Sequence, residues 1–171
     1  MAWPAQLQQD GKPTSRDNPQ PVAGMAPTYK LIVLVDVAAH VAADVLFQPI
    51  ELQHVTAKAG DTILIHNIYC MDPDDQGAAL DIVFFDAVPT IAANNAAWAT
   101  TDAEMLKSQE IVRISSGDWI DLGANRVASV TTLGKQIVTQ ETTSLWIAGL
   151  TQGTPTYVGG KLLLKIGFLR P

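Results

Sequence analysis

Beyond residue 28 the sequence never holds a hydrophobic pattern for long. Apolar runs of four to nine residues are cut by turn residues almost to the end of the chain. The runs are YKLIVLVDV (29–37), DVLF (44–47), IELQHV (50–55), TILIHNIYC (62–70), ALDIVFFDA (79–87), EIVRIS (110–115), DWIDL (118–122), RVASVTT (126–132), QIVTQ (136–140), SLWIAGL (144–150) and KLLLKIGFL (161–169). Segments this short, rich in β-branched residues, fit strands; an amphipathic helix repeats its apolar residues three and four apart over a longer stretch. KLLLKIGFL alternates, with Leu162, Leu164, Ile166 and Phe168 on one face and Lys161, Lys165 and Gly167 on the other, as in a strand with one solvated side. TILIHNIYC also alternates, with Ile63, Ile65, Asn67 and Tyr69 on one face and Leu64, His66, Ile68 and Cys70 on the other. YKLIVLVDV is almost continuously apolar, which predicts a strand covered on both faces. One helix start stands out: in TDAEML (101–106) Thr101 can cap, and Glu104 falls at the capping-box position. The pattern predicts an all-β domain over residues 29–171, a β-sandwich, jelly roll or small barrel with one short helix.

Residues 1–28 follow another logic. They hold half of the ten prolines (Pro4, Pro13, Pro19, Pro21 and Pro27) and no apolar period. Proline fixes φ and removes a donor, so this piece reads as an extended N-terminal arm, either loose or ordered on a neighbouring subunit. Trp3, Leu7 and Met25 are its candidate partner-binding anchors. A chain of 171 residues can bury a sizeable core without staples, and Cys70, the single cysteine, excludes an internal disulfide framework. The formal charge of −6 argues against direct nucleic-acid binding, which needs a basic stripe. No apolar run approaches the length of a membrane span. MAWPAQLQQDGK, lacking a basic and then an apolar region, is not a secretory signal, so a protein made in a reducing compartment is expected.

The densest chemistry lies in MDPDDQGAALDIVFFDA (71–87). Counted from Asp72, a calcium loop would have Asp74, Gln76 and Gly77 in fitting places. Val83 falls where a bidentate glutamate is required, and a strand follows where a helix should. Asp72, Asp74 and Asp75 sit in a Pro–Gly turn and read as a solvated turn, while the odd spacing of Asp81 and Asp86 puts them on opposite strand faces. His66 and Cys70 are about 13 Å apart along a strand, too far to chelate one ion, and His40 and His54 lie on other segments. No metal ligand set, catalytic constellation or cofactor motif is assigned. Cys70 reads as a small buried hydrophobe. Trp119 and Trp146 fall in strand patterns and are expected in the core. Trp98, in the AANNAAWAT loop (92–100), is a candidate partner-binding residue, or packs on its own short helix.

Three segments in order, DDQGAALDIVFFDAVPTIAANNAAWATTDAEM (74–105), IVRISSGDWIDLGANRVASVTT (111–132) and GTPTYVGGKLLLKIGFLRP (153–171), resemble the decoration, cement or head-stabilising proteins of tailed-bacteriophage capsids. The resemblance covers residues 75–171, weakens back to about residue 30 and leaves the arm uncovered. It implies a jelly-roll-like or β-sandwich virion subunit, commonly a homotrimer, made in the host cytoplasm. Such a subunit sits on the outer surface of the capsid and clamps seams of the major capsid protein. It implies no catalytic residues. Two other readings compete from the residues themselves: a glycan-binding module using Trp98, Tyr69 and Tyr157, and a metal-dependent jelly-roll enzyme using His54, His66 and nearby aspartates.

Overall fold

Strand alternation fixes which side chains meet across two layers, and both layers are present. The computed structural model describes residues 27–170, preceded by a small antiparallel pair, β1 (Gln8–Gln9) and β2 (Lys12–Pro13). The strands that follow are β3 (Thr28–Leu34), β4 (Val45–Leu52), β5 (Thr62–Asp72), β6 (Leu80–Phe85), β7 (Ser108–Ile114), β8 (Trp119–Asp121), β9 (Arg126–Val138), β10 (Leu145–Thr151) and β11 (Lys161–Leu169). They form a four-stranded sheet in the order β4-β10-β6-β7 and a five-stranded sheet in the order β3-β11-β5-β9-β8, antiparallel throughout. The chain is thus nearly all β, a sandwich with one short helix, α1 (Asp102–Met105). Apart from β1 and β2, the arm up to residue 26, with Trp3, Leu7 and Met25, lies outside the described residues.

The inner faces meet in one core. Leu162, Leu164, Ile166 and Phe168 of β11 are buried as their alternation predicts, and they face Leu80, Ile82 and Phe84 of β6. Phe84 and Phe168 touch edge to face across the layers, their ring centroids 6.5 Å apart, the geometry favoured by the ring quadrupoles. β6 is buried on both faces because the 91–98 loop covers its outer side: Ile91 and Trp98, with Trp146, pack over Val83, Phe85 and Ala148. Trp119 is in the core as expected, its Nε1–H donating to the Ala78 carbonyl; Trp146 belongs to the outer cluster and is half-buried.

Four expectations need correction. The faces of β5 do not alternate straight through. Ile63 and Ile65 share the core side with Ile68, Cys70 and Asp72, because His66 is bulged out between Ile65 and Asn67 against β11, and the register against β9 shifts at the same place. The runs at 126–132 and 136–140 are one strand, β9, whose irregular middle lies opposite that bulge, with Gly134 at φ +58°. β3 is not covered on both faces. It is the edge of the five-stranded sheet, with Ile32 65% and Leu34 72% exposed. The runs flanking Pro49 likewise merge into one strand, β4, and its edge position tolerates a residue without an N–H.

The helix begins where the sequence places it: Thr101 Oγ1 accepts the Glu104 N–H at 3.3 Å. Glu104 does not close the capping box. Its carboxylate accepts from Lys107 Nζ (2.8 Å) and the Thr90 N–H (2.6 Å), and these bonds hold its carboxyl below the usual range.

Gly149 of β10 lies against the ring of Phe47 on β4, and a Cβ there would collide with that ring. Gly149→Ala should destabilise the fold by about 1–3 kcal/mol through overpacking, read as a lower urea midpoint with unchanged slope.

Candidate interaction surfaces

The aspartate segment is a fastener, and its centre is dry. Asp72, at the end of β5, is fully buried. Its Oδ1 accepts the Asp74 N–H at 2.9 Å, and its Oδ2 accepts the N–H groups of Gln76 and Gly77 at 2.8 Å each. These charge-assisted bonds offset much of the carboxylate's desolvation and wind residues 73–77 around it. The outer carboxylates then grip other segments: Asp74 Oδ2 accepts the Gly159 N–H (2.8 Å), and Asp75 Oδ1 accepts from Arg126 Nε (2.8 Å). Gln76 Oε1 accepts the Thr156 N–H at 3.2 Å. The expected turn with local Asx hydrogen bonds is present, and Asp74 and Asp75 are partly exposed, but Asp72 is not solvated, because bulged β5 turns it inward. Gly77 has φ +57°, and a Cβ there would reach within 2.6 Å of Arg126, so the turn also needs its glycine.

Asp81 has a different role. On β6 it is nearly buried and accepts from Arg113 Nε (2.7 Å) and Nη2 (2.8 Å) and from Gln152 Nε2 (2.7 Å). It ties β7 and the end of β10 to the middle strand. Asp86 accepts from Gln109 Nε2 at 2.9 Å, and partial burial pushes its carboxyl up. Each of these carboxylates is committed to backbone N–H groups, an arginine or a glutamine amide.

The histidines and the cysteine stay apart. Bulged His66 is exposed, while Cys70 is fully buried on the core side, so the expected common face is lost. His54, at φ +58°, has Nδ1 3.4 Å from Thr143 Oγ1, and His40 is buried edge-on to Tyr157. Among the described residues no three His, Cys, Asp or Glu side chains gather closely enough to hold a metal ion.

The aromatic trio Trp98, Tyr69 and Tyr157 forms no common platform. Tyr157 is fully buried, its hydroxyl has no partner among the described residues, and burial pushes that phenol up. Tyr69 lies on the outer face of the five-stranded sheet under Lys165, whose Nζ is 4.9 Å from the ring centre. Trp98 is half-buried on the outer face of the opposite sheet. The glycan-binding reading from these three residues is therefore corrected.

Exposed apolar side chains stand singly in loops (Val37, Val41, Val88 and Val158), at the end of α1 (Leu106), and together at the edges of the five-stranded sheet. On β3 these are Ile32 and Leu34. At the other edge of the same sheet, Ile120 of β8 and the adjoining Leu122 are each 61% exposed. Beside β3 a groove of about 460 Å³ opens toward β4, lined by Ile32, Leu34, Phe47, Pro49 and Ile50. Gln48 borders it, donating through Nε2 to the Ala92 carbonyl at 2.7 Å. The sequence alone does not single out these residues. The signal was the apolar run of 29–37, which could not reveal that the strand ends a sheet. Among the described residues no helix is long and apolar enough to cross a membrane.

No protein-family model matches the sequence, and no curated protein is a significant match to it. Among solved structures the chain is similar to one of Desmodium yellow mottle tymovirus, with 14% identity over 99% of this chain and 93% of that chain and a TM-score of 0.27. It is also similar to the VP2 subviral particle of infectious bursal disease virus, with 11% identity over 86% of this chain and 38% of that chain and a TM-score of 0.26. A Gx-strain structure of the same virus gives 13% identity over 98% of this chain and 41% of that chain, with a TM-score of 0.21. Superpositions this loose carry no inference about this chain.

Two predictions follow from the site. Asp72→Ala strands three backbone donors and should cost about 3 kcal/mol of unfolding free energy in urea, with Asp72→Asn intermediate. Burial, with Asp72 nearby, pushes the Cys70 thiol far up, so Cys70 should not react with a thiol reagent at neutral pH until the fold opens. Its labelling rate should track unfolding; prompt labelling of folded protein would show that the β5 faces are misplaced.

Proposed function

We propose that this chain is a structural virion protein, a decoration or cement subunit on the outer surface of a tailed-phage capsid, made in the host cytoplasm. The observation that carries the reading is the pair of unlike apolar edges on the five-stranded sheet. Ile32 and Leu34 lie at one end and Ile120 and Leu122 at the other, while the conspicuous carboxylates are spent on the fold. Exposed aliphatics at both flanks of a rigid block suit a subunit that meets neighbours sideways. The three segments that resemble phage decoration proteins supply the class of neighbour. In this reading the partners are the major capsid protein and further copies, in a homotrimer. The arm, residues 1–28, reaches across a seam with Trp3, Leu7 and Met25 as anchors, and half-buried Trp98 adds a contact from the body. The acidic charge of −6 keeps such a subunit off packaged DNA.

Co-sedimentation with purified heads of the phage that encodes it tests the reading. Saturable binding is expected, weakened about tenfold or more by deletion of residues 1–26 or by Ile120→Asp together with Leu122→Asp, since apolar interface anchors cost more than about 1 kcal/mol each when lost. Absence of the protein from purified virions, together with no head binding, would remove it.

A further inference from the structure

Strand β3 is an edge whose exposed side chains and outward-pointing backbone coincide. The Val35 N–H donates to the Gly160 carbonyl (3.0 Å), and the Pro27 carbonyl accepts the Phe168 N–H (3.3 Å). In an antiparallel ladder, bonds at residues 27 and 35 mean that odd-numbered residues turn their backbone groups toward β11. Even-numbered residues therefore present theirs to the outside. The same residues, Thr28, Lys30, Ile32 and Leu34, carry the exposed side chains.

Edge strands are ordinarily blunted by charge, proline or a bulge. This one pairs with β11 without a register shift, and its centre exposes Ile32 at 65% and Leu34 at 72%. Its charges stand at the ends instead: Lys30 on one side and, two residues past the strand, Asp36 on the other. Val35 still bonds to Gly160, so the extended backbone reaches Asp36. The Asp36 carboxylate is engaged through Oδ1, which accepts the Ala38 N–H at 2.8 Å.

We propose that β3 pairs with β3 of a second copy of this chain, antiparallel about a two-fold axis at Val33. In that register Ile32 lies opposite Leu34 of the partner subunit, and Lys30 lies opposite Asp36 of the partner subunit, each pair occurring twice by symmetry. All four positions are even-numbered, so the outward N–H and C=O groups face each other across the axis. Moving the axis to Ile32 sets Lys30 against Leu34, and moving it to Leu34 sets Ile32 against Asp36. Only the axis at Val33 matches both the aliphatic and the charged pairs. The groove between β3 and β4 adds an apolar wall beside the incoming strand. The pairing joins two five-stranded sheets into one continuous sheet. It stands independently of the capsid reading and is compatible with a three-fold contact elsewhere, since it would then link neighbouring trimers.

Analytical ultracentrifugation of the full chain tests the pairing. The expected particle mass is an even multiple of 18.3 kDa. Lys30→Asp alone, or Asp36→Lys alone, sets like charges opposite each other twice and should weaken association by roughly tenfold or more. The two changes together should restore it. Leu34→Lys, at a position too exposed to disturb the core, should abolish pairing while the thermal unfolding curve is kept. A monomer, the outcome if residues 1–26 of the same chain cover the edge, overturns the proposal. So does an odd-numbered assembly, a combined charge variant as weak as the single ones, or an assembly indifferent to Leu34→Lys. Head binding by Leu34→Lys protein that no longer pairs keeps the capsid reading separate. Even-numbered pairing by a protein that ignores heads supports this inference and removes that one.

Discussion

One extra residue in the middle of the central strand sets the geometry of the rest. His66 is bulged out of β5, so the residues after it reach the core with the opposite parity to those before it. Ile63 and Ile65 fill the core at one end, and Ile68 and Cys70 fill it at the other. The bulge is accommodated on both sides. β9 carries its irregular middle there, and Gly167 of β11 lies against Asn67 where a Cβ would collide with the amide. Without that change of parity Asp72 would point to solvent, and the turn it organises would lose its anchor. The buried carboxylate then pulls residues 74–76 against 156–159, the loop that delivers the chain into β11. A bulge, a buried charge and a strand entry are therefore consecutive steps of one construction.

The strand content was legible because it is local. Run length, β-branched residues and turn punctuation identified every strand from β3 to β11, and the alternation of β11 named its buried face correctly. The capped start at Thr101 was equally local. What failed was non-local. The faces of β5 past His66 depend on register against β9 and β11, about fifty to a hundred residues away in sequence. The run at 29–37 looked buried because its composition is that of an inner strand, and only the sheet order makes it an edge. The joins across Pro49 and across residues 133–135 were hidden for a similar reason: proline and glycine mark turns in isolation, yet an edge position or a bulge absorbs them.

The aspartates show how far the choice between site and scaffold could be made without coordinates. Arithmetic against a calcium loop was enough to reject one ligand set, and the odd spacing of Asp81 and Asp86 was enough to separate those two. The sequence could not show that the remaining carboxylates are cross-links. Asp72 gathers its own turn, but Asp81 meets Arg113 and Gln152, and Asp75 meets Arg126, all distant in sequence. A buried carboxylate satisfied by several donors is a costly way to hold a loop, because removing any part leaves the rest unpaired. Its return is specificity of placement: the 73–77 turn has one geometry, so the 153–160 segment has one course.

A rigid sandwich finished in this way has little need of its own edges for stability, and that bears on why β3 is left apolar. A strand that ends a sheet and exposes Ile32 and Leu34 is an aggregation hazard for a solitary protein. The hazard becomes a contact when the strand is self-complementary, since pairing about a two-fold axis consumes the edge of both copies and closes the reaction at two. The far edge is not consumed by that event. β8 is short, with Asp118 just before it and Asp121 at its end, the latter 3.7 Å from Arg126 Nη2, so a second β8 would bring carboxylates rather than a matching charge pair to the seam. It suits an unlike surface instead. Under the proposed pairing, the β3 edge would join the block to its own kind while the β8 edge stayed free for an unlike surface, the combination that a seam-spanning subunit would need.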